Sequence, residues 1–478
     1  MNAVDREPLV GNLQPSTTEP LAPFASPLGL DPDLERFLHQ ASSQLCRWLG
    51  DAHCRGPLPM LSVLPDVVPE QEGVSSSRLL DDLQWVMDGA FQPSHPGALA
   101  HLDPPPLTAS IAADLICAGL NNNLLAEELS PSLTRLERHL CNWFASRLGL
   151  PASAGGVPAS GGSLSNLNAL VVARHHLGLA HNPESVVLAS ADSHVSLAKA
   201  VRVMGLRPDA LQTIPVDDDG CLDMDLLQTR LKTLRSQQRP CLAVVATAGT
   251  TVRGAIDPLR DLANFCRREQ LWLHVDGAIG AIFALSATTA PLLEGLGLAD
   301  SITVNPQKLL GITKTSSLLL VADRSTLADA FATGLPYMEP AWGDGHGGEQ
   351  GLQGTRPAEV LKLWLGLRQL GENGIASLLT SAVERRQSLE TSLDASQLQV
   401  CSGPLHLLAC RPLQGTASEI EAWSLKTRQR LLNQQLMLSR PIYAGFHYLK
   451  AVLGNPHTQS CHLRQLAEIL NASAREFA

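Results

Sequence analysis

Tyrosine is scarce in this chain: 478 residues contain three, and all aromatics together make up 4%. Chemistry that needs a phenol therefore has few candidates. Basic residues are outnumbered, 36 Lys and Arg against 46 Asp and Glu, for a net charge of -10 and a pI near 5.8. A nucleic-acid partner would require a basic surface, so that class is excluded, and an anionic membrane surface is disfavoured for the same reason. No apolar run approaches the roughly eighteen residues of a membrane-spanning helix, and the acidic segment Met1 to Glu7 lacks the basic-then-apolar pattern of a secretory signal. There is no CxxC pair; the ten cysteines are scattered singly from Cys46 to Cys461, and the fifteen histidines form no cluster with metal-ligand spacing. These absences exclude a disulfide framework and a zinc site, and favour free thiols in a reducing cytosol. A cytoplasmic protein without a metal is expected.

What is present is a globular composition: 44% hydrophobic, 17% charged and a mean hydropathy of +0.04. At roughly 150 residues per domain the chain has room for two or three structural units. The first thirty residues are rich in Pro, Ser and Thr and read as a loose arm. Helical periodicity begins at Asp31, with Leu34, Phe37, Leu38, Leu45 and Trp48, and returns from Ser75 to Met87. The proline-rich run His95 to Pro106 predicts an ordered non-helical lining or a rigid linker. Helices are expected around Ile111 to Leu120 and after Ser130-Pro131.

The next stretch of about 180 residues alternates strand and helix in the α/β manner. Ala159-Ser160-Gly161-Gly162-Ser163 opens a helix running to His176, and a Gly/Ser loop there offers unpaired N–H groups and a positive dipole end suited to phosphate. Short apolar strands are predicted at Val186 to Ser190, Cys241 to Ala246 and Leu271 to Asp276, and a fourth at Ser301 to Val304 breaks at Asn305-Pro306. His194, Thr247, Asp276 and Lys308 then fall at or just beyond the carboxyl ends of strands, where ligands bind in parallel α/β sheets. A lysine in a partly apolar pocket loses its proton more readily and can form a Schiff base with an aldehyde, pyridoxal 5′-phosphate (PLP) being the obvious one. Asp276 would then pair with the pyridinium nitrogen, and His194 would lie on the ring. Thr247 would hydrogen-bond near the ring, and Gly162 and Ser163 would hold the phosphate.

The series Ser160-Gly161-Gly162-Ser163, Ser193-His194, Thr247-Ala248-Gly249-Thr250-Thr251, His274-Val275-Asp276-Gly277-Ala278 and Asn305-Pro306-Gln307-Lys308 resembles the group II PLP-dependent amino-acid decarboxylases, over about Leu83 to Ile469. The resemblance implies a fold type I architecture: a large mixed-sheet domain, a small C-terminal α+β domain and an N-terminal helical segment. The divisions expected are 1–94, 95–355 and 356–478. It also implies a homodimer with interfacial active sites and an amino-acid substrate that loses carbon dioxide to leave an amine. The cofactor set expected is Gly162, Ser163, His194, Thr247, Asp276, Ala278, Asn305, Gln307 and Lys308, with Lys308 and His194 catalytic.

Two departures from the family bear on chemistry. Gln307 stands where the family usually has His, and cannot titrate. The loop from Phe331 to Thr355, which in the family commonly carries a proton-donating tyrosine, holds only Tyr337, near its start. His346 is the expected substitute, since an unperturbed imidazole, with a pKa of about 6.5, suits general acid work. The run His95 to Pro106, followed by Thr108-Ala109-Ser110, is similar to bacterial 2,4-diaminobutyrate decarboxylases, and Asp103, Glu127 or Glu128 are candidates to receive a basic substrate. The alternatives are another fold type I enzyme, aldehyde-forming or aminotransferase-like, and a non-catalytic PLP-binding protein.

Overall fold

The computed structural model describes residues 21–60, 64–335, 342, 343 and 345–477; the start of the N-terminal arm, Tyr337 and Asp344 lie outside them. The chain divides into two compact units, Met1–His95 and Pro96–Ala478.

In the first unit the helices Pro32–Gly50 and Ser76–Asp88 carry the predicted apolar spacing. The Asp31 carboxylate caps the former by accepting the N–H groups of Asp33 and Leu34. Gln44 Nε2 ties the pair together through the carbonyl of Leu80 at 3.2 Å.

The second unit is organised by a seven-stranded sheet. Its strands are β1 (Gly155–Ala159), β2 (Val186–Ser190), β3 (Leu211–Ile214), β4 (Cys241–Thr247), β5 (Trp272–Gly277), β6 (Ser301–Val304) and β7 (Ser317–Val321). Their order in space is β1-β7-β6-β5-β4-β2-β3. The pairs from β3 to β6 are parallel, whereas β7 runs antiparallel to both β6 and β1. Being covered on both faces, the central strands β2 and β4 are almost wholly apolar, and alternate residues serve opposite cores. Val186, Leu188, Val244 and Ala246 face the core built with helices Pro131–Arg147, Met224–Ser236 and Leu259–Glu269. Val187, Ala189, Ala243 and Val245 face the other, with Gly162–His176 and Ser196–Val203.

Beyond the long helix Val360–Ser392, strands β8 (Leu398–Ser402) and β9 (Leu407–Pro412) precede a hairpin of β10 (Ile442–Tyr443) and β11 (Phe446–His447). With β12 (Leu449–Val452) a three-stranded antiparallel sheet forms in the order β12-β9-β8. Helices Ala417–Asn433 and Ser460–Arg475 complete its core through Trp423, Leu431, Leu463 and Leu466. Among the described residues no helix is long and apolar enough to cross a membrane.

Candidate active site

Parallel strands end their side chains at a common level, so the last residues of β2, β4, β5 and β6 share one edge of the sheet. Thr247 and Asp276 are register partners across β4 and β5, and Asp276 pairs in turn with Thr303 of β6. A cavity of about 230 Å³ opens at this edge, lined by Gly162, Ser163, His194, Thr247, Asp276, Ala278, Asn305, Gln307 and Lys308. Asn166, Asp192, Gly249, Thr251 and Ile279 complete the lining.

Each group is fixed by its neighbours. After β6 the chain turns through the single 3-10 turn Pro306–Lys308, with Lys308 N–H bonded to the Asn305 carbonyl at 3.1 Å. Burial pushes the Lys308 amine below its ordinary range, against the pull of Asp276, and its Nζ has no hydrogen-bond partner among the described residues. A lysine so placed holds its nitrogen lone pair free at a higher proton concentration than an exposed one would.

Asp276 is 5% exposed. Its Oδ2 accepts from Asn166 Nδ2 at 2.7 Å and its Oδ1 from the Ala278 N–H at 3.2 Å. Behind it lies a directional chain. Trp272 Nε1 donates to Ser301 Oγ at 2.8 Å, Ser301 Oγ faces His274 Nδ1 at 2.9 Å, and His274 Nε2 faces Asn166 Oδ1 at 3.1 Å. The Asn166 Oδ1 can only accept, so Nε2 of the neutral ring carries the imidazole hydrogen and Nδ1 accepts from the Ser301 hydroxyl. His274 is fully buried, and that burial lowers its pKa, which keeps the ring neutral.

His194 follows β2 on a turn that its own imidazole closes: Nδ1 accepts the Ser196 N–H at 3.2 Å and lies 2.9 Å from Ser196 Oγ. Burial lowers its pKa, with Lys308 acting in the same direction and Asp276 opposing. Thr247 is held through its backbone, its N–H reaching Asp257 Oδ2 at 2.7 Å, while its buried Oγ1 has no partner among the described residues. Burial raises the Asp257 carboxyl to about 6 despite that bond and one from Leu222 N–H. Asn305 Oδ1 accepts from Ser317 Oγ at 2.7 Å, and Gln307 Oε1 from the Ser316 N–H. Gly161, with φ of +109°, turns the chain from β1 into Gly162–His176 without a side-chain cap, which leaves the first N–H groups of that helix for a ligand.

His346 is not brought to this cavity by its own chain. The segment carrying it folds back so that Nδ1 accepts the Glu127 N–H at 3.3 Å, and the ring is buried beside Glu137 and Cys141. The three carboxylates expected to meet a basic substrate are also absent from the lining. Asp103 pairs with Lys314, Glu127 is buried with Oε2 accepting from Trp342 N–H at 3.1 Å, and Glu128 is exposed. Sequence reasoning overlooked Asn166, Asp192 and Lys450. Asn166 is one turn from Ser163 on the same helix, a spacing that places both on one side. Lys450, on β12, donates to the carbonyl of the cavity residue Thr251 at 3.2 Å, and burial brings its pKa down to about 8.

The lining carries what a pyridoxal phosphate site requires: a deprotonatable lysine, a carboxylate fixed from behind, an unpartnered threonine hydroxyl and a glycine-led helix start. The pyridoxal-dependent decarboxylase conserved domain matches residues 57–410. The chain belongs to the pyridoxal-dependent decarboxylase family. It is 30% identical to an L-2,4-diaminobutyrate decarboxylase of Rhizobium meliloti over 88% of this chain and 86% of the relative. It is also 30% identical to an aromatic-L-amino-acid decarboxylase of Bacillus atrophaeus, over 69% of this chain and 70% of that one. In fold it is similar to the Oryza sativa TDC solved with PLP and tryptamine, with a TM-score of 0.87 at 23% identity, covering 95% of this chain and 99% of that one. The decarboxylase has the fold type I architecture, takes pyridoxal 5′-phosphate as cofactor and is a carboxy-lyase acting on an amino acid.

Proposed function

We propose that this decarboxylase converts a diamino acid, L-2,4-diaminobutyrate in the first instance, into carbon dioxide and an amine. The observation that carries the site reading is the convergence of His194, Thr247, Asp276 and Lys308 on one cavity at the carboxyl ends of neighbouring strands. The substrate reading is supported by the similarity to the Rhizobium meliloti L-2,4-diaminobutyrate decarboxylase along most of both chains.

Bound pyridoxal phosphate supplies an electron-withdrawing ring that stabilises the carbon losing carbon dioxide. In this reading the residues divide the remaining work. Lys308 would hold the cofactor through its Nζ. The Asp276 carboxylate, held in place by Asn166, would favour a protonated pyridine nitrogen by its charge. Thr247 Oγ1 would be free to hydrogen-bond the ring, and Gly162 and Ser163 would offer N–H groups to the phosphate, with Asn305 in the wall beside them. The His194 imidazole would face the ring, and Ala278 and Gln307 border the same cavity. With His346 buried outside this cavity in its own chain, Lys308 and His194 are the lining groups that would hold a proton for the substrate.

A homodimer is proposed as well. It is supported by Leu115, Ile116 and Leu120, which are 48%, 54% and 50% exposed on the single helix Thr108–Leu120. Full activity from a species that sediments as a monomer would count against it.

The deciding experiment compares the visible absorbance of the purified protein with that of Lys308→Ala and screens amino acids, including L-2,4-diaminobutyrate, for carbon dioxide release. A band that depends on Lys308, with carbon dioxide and the matching amine, is the expected result. Carbon dioxide accompanied by an aldehyde would replace amine formation with the oxidative outcome.

A further inference from the structure

One carboxylate in the cavity has an oxygen that neither the fold nor the cofactor reading uses. Asp276 and Asp192 are the two acidic residues in the lining, and Asp276 is engaged on both oxygens by Asn166 and Ala278. Asp192 lies on the turn after β2, two residues ahead of His194, and is half-buried. The Tyr443 hydroxyl, arriving from β10, donates to its Oδ2 at 2.8 Å. Among the described residues Oδ1 has no hydrogen-bond or ion-pair partner. Arg253 is close enough for its charge to be felt, yet it forms no ion pair there. Its guanidinium donates to the Asp218 carbonyl at 2.9 Å and interacts with the Tyr443 hydroxyl.

A half-buried carboxylate oriented by a phenol, with one oxygen in no ion pair among the described residues, discriminates among amino acids. An acidic side chain would meet like charge. An apolar one would strip water from Asp192 and return no hydrogen bond, leaving a charge desolvated and unpaired. A side-chain ammonium satisfies it. We propose that Asp192, oriented by Tyr443, binds the side-chain ammonium of a diamino-acid substrate and so sets the specificity of this cavity. The proposal rests on decarboxylation of an amino acid at Lys308. Burial raises the Asp192 carboxyl, only partly opposed by the Tyr443 hydrogen bond and Arg253, and a bound ammonium would bring it back down.

The test titrates the holoenzyme with L-2,4-diaminobutyrate and with L-2-aminobutyrate, which lacks the second amine, following the visible absorbance of the cofactor and carbon dioxide release separately. Wild type is compared with Asp192→Asn, Asp192→Glu and Tyr443→Phe, each first checked for retained cofactor absorbance. Loss of a charge-assisted contact predicts about 10- to 100-fold weaker diaminobutyrate binding in Asp192→Asn. Aminobutyrate binding should change far less, Tyr443→Phe should have a smaller effect on diaminobutyrate, and Asp192→Glu should recover part of the loss. Equal weakening for both ligands, or no weakening for either, overturns the proposal, as does a wild type that takes glutamate or an aromatic amino acid in preference to any diamino acid. If Asp192→Asn loses cofactor, Tyr443→Phe decides by the same comparison. Asp192-dependent binding without carbon dioxide would instead overturn the decarboxylation reading and leave the ammonium contact standing.

Discussion

Asn166 donates its Nδ2 to Asp276 Oδ2 at 2.7 Å while its Oδ1 accepts from Thr303 Oγ1 at 2.7 Å. One buried amide therefore joins β6, β5 and helix Gly162–His176, and its orientation is dictated from both ends. Replacing it with Leu leaves the Asp276 carboxylate short of a donor inside the protein. A hydrogen bond to a charged group is worth about 1.5–3 kcal/mol, so Asn166→Leu is expected to hold pyridoxal phosphate about 10- to 100-fold more weakly. Cofactor loss on dialysis, read by absorbance, checks this.

Gly162→Ala should injure the same site from the phosphate side. A Cβ there would stand 2.9 Å from Asn305 Nδ2 and 3.2 Å from its Oδ1. Asn305 has little freedom to yield, being anchored to Ser317, whose hydroxyl also meets Ser165 Oγ at 2.9 Å. The expected outcome is weakened cofactor binding with a melting temperature lowered by a few degrees, about 1–3 kcal/mol of overpacking. Unchanged cofactor affinity would show that Asn305 moves freely.

Acid should destabilise the fold before the surface carboxylates protonate. Burial lowers the pKa of His274, and it takes that of His406 to about 3; both rings are fully buried. As pH drops below about 6.5 the unfolded chain protonates both imidazoles while the folded chain leaves them neutral. Stability is thus fully present above that pH and declines as it falls. Urea midpoints measured between pH 7 and 5 should decrease, and His406→Leu should flatten the slope.

Arg356 and Glu137 form a bidentate pair whose side chains are 5% and 9% exposed. Glu137→Gln strands a buried guanidinium at the head of the segment leading into Val360–Ser392. A cost of about 3–5 kcal/mol is expected from breaking one side of such a pair. The double replacement Glu137→Gln with Arg356→Met should recover part of that loss in chemical denaturation.

Legibility in the sequence followed burial symmetry. Strands β2, β4, β5 and β6 are covered on both faces and read as apolar runs, so their ends, and with them Thr247, Asp276 and Lys308, could be located from residues alone. β1 escaped because Pro158 argues against a strand, and it is tolerated only because β1 lies at the sheet edge, paired with β7 alone. β3, also at an edge, is short and half polar. The site was read as a set of chemical types at strand ends, which explains both the finds and the omissions. Asn166 is an unremarked polar residue within a helix until the fold buries it against Asp276. His346 has suitable chemistry, but nothing local announces that the Glu127 N–H holds its ring. Asp192 is hidden by its proximity to His194, and Tyr443, the partner that orients it, is 251 positions away.

The order of strands β6, β5, β4 and β2 across the sheet makes the site a single row, each member attached to its own strand end. Length added to a crossover helix or surface loop leaves that row in place. A residue inserted within β4 or β5 turns every later side chain of that strand to the opposite face, moving Thr247 or Asp276 out of the cavity. Engineering of this scaffold therefore has wide latitude in the connections and almost none inside the strands.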